Sequence, residues 1–390
     1  MRVSHVITRL IVGGAQENTI SSVLGLRLRT PWELELISGP THGTEGSMVP
    51  VVEAIPGLLR TEPHLLRAIH PYHDLLAYLA LRRHFRRTRP VLVHTHSGKA
   101  GILGRLAARH ASVPVVVHTV HGPSFGPFQG RLANEVFTRA ERVAGRVTDH
   151  FVVVAEAMRD QYLNAGIGRR EDYTRVFSGF DLKPYLTATR NPALAARWGL
   201  KPGDFVVGKI ARLFELKGHD DLFEAAPELV RRIPNIRFLL VGDGPWRARF
   251  EALAASPGLT GRFVFTGLVK PEEVAAQVGL MDALVHLSRR EGLPRALPQA
   301  SAAGKPLVAF DCDGAGEVCR TGETGFLIPP GDRAALVDSL TRLAADPALC
   351  QRLGMVGREF VRSRFSVDRM VSDLDQLYRY LIGQRGGVIP

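Results

Sequence analysis

The chain has 390 residues, 45% hydrophobic and 23% charged, with a formal net charge of +12. That length exceeds one ordinary core and implies two domains, and the balance excludes a disordered or fibrous chain in favour of a soluble globular one. Cys312, Cys319 and Cys350 are odd in number with no C-x-x-C pairing, which argues against a disulfide framework or a structural zinc and points to a reducing cytosol.

Val3–Ile7 reads as a first buried strand, Gly13-Gly14 closes a turn, and Ala15–Leu28 has helix-like composition. Strand-like runs follow at Leu34–Ser38, Val91–Thr95, Val115–Thr119 and His150–Val154, and helical stretches at His73–Arg87, Lys99–Arg109 and Gly130–Gly145 lie between them. The alternation predicts a parallel sheet covered on both faces. Near Asp181–Asn191 the periodicity fades among Pro, Thr and Asn, and the hinge is placed there. A second series then begins, with strands at Phe205–Ala211, Arg237–Val241, Phe263–Thr266, Ala283–Leu287, Pro306–Phe310 and Gly325–Ile328. Helices at Asp220–Arg232, Arg247–Ala255, Glu272–Val278 and Arg333–Ala344 interleave with them. A last helix, Val367–Gly383, repeats Met370, Leu374, Leu377, Tyr378 and Leu381 at helical spacing, so it packs on something. The expected fold class is α/β, two Rossmann-like domains facing each other across a central cleft. The expected bounds are 1–185, with a C-terminal helix at 365–390 packing back on it, and 186–364.

Three strand-to-helix turns carry the chemistry. Arg212 and Lys217 follow the strand Phe205–Ala211, at the end where open α/β sheets bind ligands. A guanidinium grips two phosphate oxygens and an ammonium neutralises charge as a point, so phosphate binding is preferred to an exposed basic loop. Ala283–Leu287 runs into a tight loop at Glu291-Gly292, with Pro294 suited to the first turn of a helix. Such a loop leaves backbone N–H groups unpaired and aimed outward, a ready anion site. Glu291 stands at its lip, able to accept from sugar hydroxyls, and Gln299 lies roughly 7 Å further along the helix. Taken alone, a solvated Glu291 and an exposed Gln299 would be the plainer reading.

The series Arg212…Lys217-Gly218, Val241-Gly-Asp-Gly-Pro245, Phe265-Thr-Gly267, Glu291-Gly-Leu-Pro294 and Thr324-Gly-Phe-Leu327 resembles glycosyltransferase family four, retaining enzymes of the GT-B fold. Gly13-Gly-Ala-Gln16, His94-Thr-His-Ser-Gly-Lys-Ala-Gly101 and His118-Thr-Val-His-Gly122 extend the resemblance over nearly the whole chain. It implies that Arg212 and Lys217 hold the diphosphate of a nucleotide-sugar donor, a UDP-sugar being expected. Glu291, with the backbone of Gly292 and Leu293, would hold the sugar and distal phosphate. Gly14 would let the amino-terminal domain approach closely, and His121 would be the histidine beside the transferred sugar. A second family Glu, eight positions after the first, is here Gln299, which puts ribose recognition in question. His94 and His96 carry no such implication and are read as structural. Asp311-Cys-Asp313 mimics a D-x-D metal motif but is read as a turn, and neither a metal nor another cofactor is expected to be required.

The resemblance implies transfer of a sugar to a glycan or lipid-linked acceptor in the synthesis of cell-surface polysaccharide or glycoconjugate. A GT-B epimerase or phosphorylase, or a non-catalytic polyanion-binding scaffold, are the alternatives. The basic excess is uneven: residues 1–184 hold 23 Lys+Arg against 15 Asp+Glu, and residues 185–390 hold 27 against 23. It favours anionic partners, an acidic membrane surface among them, and no nucleic acid is expected. Arg82–Arg89 ends a helix, where positive charge suits the dipole, and Leu75, Leu76, Leu79 and Phe85 on that helix keep a membrane surface in view. Met1–Thr8 carries Arg2 and His5, so no signal peptide is expected, and the uncharged run Ala111–Gly130 is too broken by Pro and Gly to span a membrane. The expected location is the cytoplasm, with peripheral attachment to the inner face of the cell membrane left open.

Overall fold

The computed structural model describes residues 1–42, 46–126 and 128–386; the last four positions of the expected C-terminal segment lie outside the described residues. The chain divides into two compact units, Met1–Phe180 with Val367–Pro390, and Asp181–Ser366. The first unit holds β1 (Arg2–Ile7), β2 (Glu33–Ser38), β3 (Leu59–Thr61), β4 (Leu92–His96), β5 (Val115–Val120), β6 (His150–Val153) and β7 (Tyr173–Arg175). They form one sheet in the order β3-β2-β1-β4-β5-β6-β7, every neighbouring pair parallel. The second unit holds β8 (Phe205–Ile210), β9 (Ile236–Val241), β10 (Phe263–Gly267), β11 (Ala283–His286), β12 (Leu307–Phe310) and β13 (Gly325–Ile328). Their order is β10-β9-β8-β11-β12-β13, again all parallel. In each unit the chain winds outward from its first strand, then returns to that strand and winds the other way. Each is a Rossmann-like sheet with its reversal at β1/β4 and β8/β11, where the carboxyl ends leave a crevice.

The central strands are apolar runs because both faces are covered. In the first unit one face packs Val3, Leu34, Leu92 and Val117 against Leu374 and Tyr378, and the other packs Val6, Val93 and Val116 against Leu81 and Ala107. The helix Val367–Gln384 thus belongs to the first unit's core, where it buries Met370, Val371, Leu374, Leu377, Tyr378, Leu381 and Ile382. It crosses the helix Gly14–Arg29 at Gly25, where an added Cβ would lie 2.4 Å from Val371 Cγ2. Trp32 Nε1 donates to Asp375 Oδ1 at 2.7 Å beside that crossing.

Local pattern left several elements unread, the helices Val49–Glu53, Glu156–Asn164, Lys183–Leu186 and Pro192–Arg197 among them. β3 and β7 are three-residue edge strands, too short to show alternation. The helix Pro347–Arg364 is long, with Asp346 Oδ1 accepting from Leu349 N at 2.9 Å. Gly354 and Gly357 weaken its helical signature, yet they let it sit on the helix Ala296–Ala302 and the turn after it: a Cβ at Gly354 would lie 2.0 Å from Gly304 O. Leu75, Leu76, Leu79 and Phe85 lie along one helix, Pro71–Thr88. Phe85 is wholly buried, as is Leu81, while Leu75 and Leu79 are exposed, so the face is split between core and solvent.

The first unit's core also contains imidazoles. His5, His94, His96 and His118 are buried on β1, β4 and β5, and His121 follows β5. Burial pulls the pKa of His5 down to about 3 and that of His121 to about 4, and drives His94, His96 and His118 well below the usual value. Between these folded values and about 6.5 the unfolded chain binds protons that the folded chain refuses, so stability must rise with pH across that window. The urea midpoint is therefore expected to fall steadily as pH is lowered from about 6.5 to about 4. A midpoint that rose on acidification would mean that these rings are charged in the folded state.

Candidate functional site

In the second unit the reversal at β8/β11 is bridged by the two loops that leave those strands. Arg289 N donates to Leu216 O at 2.8 Å, and the Arg289 guanidinium donates to Asp221 at 2.6 Å. Gly218 has φ +65°, and a Cβ there would lie 1.9 Å from Leu287 O, so only glycine lets the Lys217 loop lie this close to the end of β11. The outcome is an ion pair: Lys217 Nζ donates to Glu291 Oε1, both side chains about a quarter exposed, with Ser288 Oγ 3.2 Å from the same carboxylate oxygen. The two residues singled out separately in the sequence meet across the reversal point.

Arg212 differs. It is exposed, rests over the Phe214 ring at 5.5 Å, and has no ion-pair partner among the described residues. The Gly-Asp-Gly-Pro turn after β9 explains its placement. Leu213 N donates to Asp243 O at 3.1 Å, Trp246 N donates to Leu213 O at 3.0 Å, and a Cβ at Gly244 would lie 2.4 Å from Leu213 O. The motif is a backbone clamp on the Arg212 loop.

The Glu291 loop has a second support. Asp313 Oδ2 accepts from Glu291 N at 2.7 Å, and Gly314 N donates to Gly292 O at 3.0 Å. Asp313, at φ +50°, is thus the turn residue that holds this loop. Glu291 N–H is therefore not among the N–H groups the loop leaves unpaired. The N–H groups of Gly292 and Leu293, by contrast, donate to nothing among the described residues. The helix begins at Ala296, two residues later than the Pro294 start expected, and spans only Ala296–Ala302. Pro298 inside its first turn removes one N–H that would otherwise need a partner. Gln299 is buried rather than exposed, and its amide makes no side-chain hydrogen bond among the described residues.

Sequence reasoning passed over the floor of this site. Lys209 on β8 is buried, and desolvation followed by the charge of Lys217 pushes its pKa down to about 7. His286 Nε2 on β11 and His219 Nδ1 are buried without a hydrogen bond. A lysine inside the apolar run Val206-Val-Gly-Lys-Ile210 was the one visible signal.

In the first unit, Gly14 opens the helix Gly14–Arg29, with Gly13 before it as an extended cap lacking a side chain; Glu17 N donates to Gly13 O at 2.9 Å. His121 is half-buried at the end of β5, its Nε2 3.1 Å from His96 Nδ1. The segment after it is anchored by Ser124 Oγ, which donates at 3.2 Å to Glu141, itself paired at 2.6 Å with Arg105 in full burial. His94 and His96, read as structural, are buried in the group that touches His121. Their H-x-H spacing puts both on one face of β4, and register sets His5 beside His94. His5, His94 and His96 offer nitrogens within 4.8 Å of one another, the spacing of a metal-ligand set, which the sequence reading did not foresee.

Residues 33–183 match the model of Glycosyltransferase Family 4, and residues 191–360 match that of Glycosyl transferases group 1. An alpha-D-kanosaminyltransferase of Streptomyces kanamyceticus is 30% identical over 318 residues, 78% of this chain and 81% of that protein. The UDP-Gal:alpha-D-GlcNAc-diphosphoundecaprenol alpha-1,3-galactosyltransferase of Escherichia coli is 27% identical over 320 residues, 81% and 82% of the two chains. The crystal structure of Anabaena Alr3699/HepE in complex with UDP superposes with a TM-score of 0.82 at 21% identity, covering 97% of this chain and all of that one. No helix among the described residues is long and apolar enough to cross a membrane. Two Rossmann-like units, each matched by its own family model, with a relative at 30% identity over most of both lengths, establish that this chain belongs to glycosyltransferase family 4 and is a glycosyltransferase of the GT-B fold.

Proposed function

We propose that the chain transfers a sugar, with retention, from a nucleotide-diphosphate sugar to a glycan or lipid-linked acceptor in the synthesis of surface polysaccharide or glycoconjugate. The donor is a UDP-sugar, bound by the second unit. The observation that carries this reading is the exposed Arg212, without an ion-pair partner among the described residues, on the same loop as Lys217, which pairs with Glu291 at the β8/β11 reversal; the N–H groups of Gly292 and Leu293 donate to nothing among the described residues. The HepE structure holds UDP, and the E. coli relative is named for a UDP-galactose donor and a diphosphoundecaprenol acceptor, which favours the same classes here.

Sugar transfer passes through a cationic, oxocarbenium-like state while negative charge builds on the departing diphosphate. Arg212 and Lys217 meet that charge, so they stabilise the transition state more than the ground state. Lys217 is already held by Glu291, so donor binding exchanges a carboxylate partner for phosphate and frees Glu291 for the sugar hydroxyls. Gly292 and Leu293 donate their N–H groups to the distal phosphate, Gln299 serves the ribose, Gly14 gives close approach from the first unit, and His121 stands beside the transferred sugar. With two cations on the diphosphate, this scheme requires no metal.

Peripheral attachment to an anionic membrane accompanies this reading, because a lipid-linked acceptor is confined to one. Its support is the helix Pro71–Thr88, which exposes Leu75 and Leu79 and carries the exposed Arg83, Arg86 and Arg87. Each basic residue near an anionic surface contributes roughly 1 kcal/mol, decaying within a Debye length.

Arg212→Ala and Lys217→Ala are each expected to reduce turnover with a UDP-sugar by roughly tenfold to more than a hundredfold, the effect of about 1.5–3 kcal/mol per charged hydrogen bond lost. Wild-type turnover in either purified variant would remove the diphosphate assignment. Glu291→Gln should cut kcat severely, whereas Gln299→Glu should change donor affinity by less than about tenfold, since a better ribose acceptor is offset by repulsion from the diphosphate. The reverse order of damage would show the two positions to be misassigned. In flotation with acidic liposomes, the protein should float at low salt and sediment at high salt; failure to float at low salt would exclude the membrane surface.

A further inference from the structure

His94, His5 and His96 join Thr119, Tyr378 and His121 in one continuous hydrogen-bonded chain. Thr119 Oγ1 is 2.6 Å from His94 Nε2, and His94 Nδ1 meets the Tyr378 hydroxyl. That hydroxyl lies 3.3 Å from His5 Nε2, His5 Nδ1 lies 3.0 Å from His96 Nε2, and His96 Nδ1 lies 3.1 Å from His121 Nε2. All six ring nitrogens of His5, His94 and His96 are thereby engaged. Tyr378 comes from the C-terminal helix, far from the strands in sequence but within the same core.

A neutral imidazole carries one N–H and one lone pair, and a hydrogen bond needs one of each. Each ring carries one proton, so three orders exist: two in which every link runs the same way, and one in which the Tyr378 oxygen accepts from both His94 and His5, which leaves the buried Tyr378 O–H without an acceptor among the described residues and is excluded by that cost. In the first, Thr119 O–H donates to His94 Nε2, His94 Nδ1–H to the Tyr378 oxygen, and Tyr378 O–H to His5 Nε2. His5 Nδ1–H then donates to His96 Nε2 and His96 Nδ1–H to His121 Nε2, which leaves His121 with its proton on Nδ1. In the second order every link is reversed, His121 carries its proton on Nε2, and Thr119 O–H is left over. No acceptor for that hydroxyl proton is found among the described residues, and Thr119 is 3% exposed. A buried donor without a partner is costly, so the first order prevails.

We propose that Thr119, His94, Tyr378, His5 and His96 act as positioning residues that hold His121 in the Nδ1–H tautomer, with Nδ1 presented outward as a hydrogen-bond donor. Its functional consequence rests on the placement of His121 beside the transferred sugar: a neutral histidine locked this way donates to a substrate oxygen and cannot accept a proton at that edge. Nδ1 has no hydrogen-bond partner among the described residues, which leaves it open for that purpose. The same geometry disfavours a resident metal in the His5/His94/His96 group, since every lone pair there already accepts a proton.

Histidine tautomers can be read directly from long-range 15N–1H correlations of the 15N-histidine-labelled full chain. The wild type is expected to show His121 as Nδ1–H. Tyr378→Phe removes the hydroxyl that joins the two halves of the chain while keeping the ring, and His121 should become a tautomer mixture with kcat about tenfold lower and donor KM changed less than about twofold. Thr119→Val, a substitution outside the helix, should loosen the tautomer as well and provides the same readout should Tyr378→Phe fail to fold. An Nε2–H His121 in the wild type, or an Nδ1–H His121 indifferent to both variants, would overturn the proposal, as would one equivalent of zinc bound by the purified protein with loss of the correlations of His5, His94 and His96. A His121 tautomer that responds while neither Tyr378→Phe nor His121→Ala alters kcat would support the chain and sink only the placement of His121 at the sugar.

Discussion

The crevice of the second unit depends on one contact, the ion pair between Lys217 and Glu291 across the β8/β11 reversal. Where a parallel sheet changes its direction of winding, adjacent strands send their following loops to opposite sides and leave a crevice between them. Here the crevice is bridged, and two residues 74 positions apart become partners. Everything around the pair serves to bring the loops together: Gly218 admits the close approach, Arg289 N–H ties the loops backbone to backbone, and Asp313 steadies the Glu291 side from β12. A partly exposed pair of this kind adds only modestly to folding stability. In the proposed donor complex, a phosphate and a sugar hydroxyl would replace the two partners of this pair.

Beneath the pair the polar groups are less settled. Lys209 is buried with a depressed pKa, and ring nitrogens of His219 and His286 lack partners. Such groups are costly in a core, and a strand interior at the carboxyl edge of the sheet is where a binding site tolerates them. Arg212, by contrast, reaches solvent on a loop whose backbone the Gly-Asp-Gly-Pro turn holds rigid. An exposed guanidinium on a fixed base suits capture of an anion.

The first unit solves a different problem. Its sheet carries histidines at interior positions of β1 and β4 that a purely apolar core would fill with Val or Leu. They are accommodated because each finds a hydrogen-bond partner, either another ring or the hydroxyls of Thr119 and Tyr378. The C-terminal helix is part of that solution, since it supplies Tyr378 and closes the core over the Gly14–Arg29 helix. The same packing that completes the fold thus governs the environment of His121.

The sequence by itself determined the doubly wound class, both series of central strands and the residues at each strand-to-helix turn. These are local matters: apolar runs of strand length, helical spacing and turn residues are written in consecutive positions. It determined the family too, because the motifs at Arg212, Gly242, Glu291 and Thr324 keep their order and separation. It did not reveal the short edge strands, nor the helix Pro347–Arg364, whose glycines hide its period while permitting its close packing. Only the tertiary structure decided partnership. That Lys217 would meet Glu291, that Asp313 would hold the Glu291 loop, and that His5 and His96, 91 positions apart, would share a hydrogen bond all follow from strand register and loop approach. Register is set by how whole sheets pack, and no short stretch of sequence carries that information.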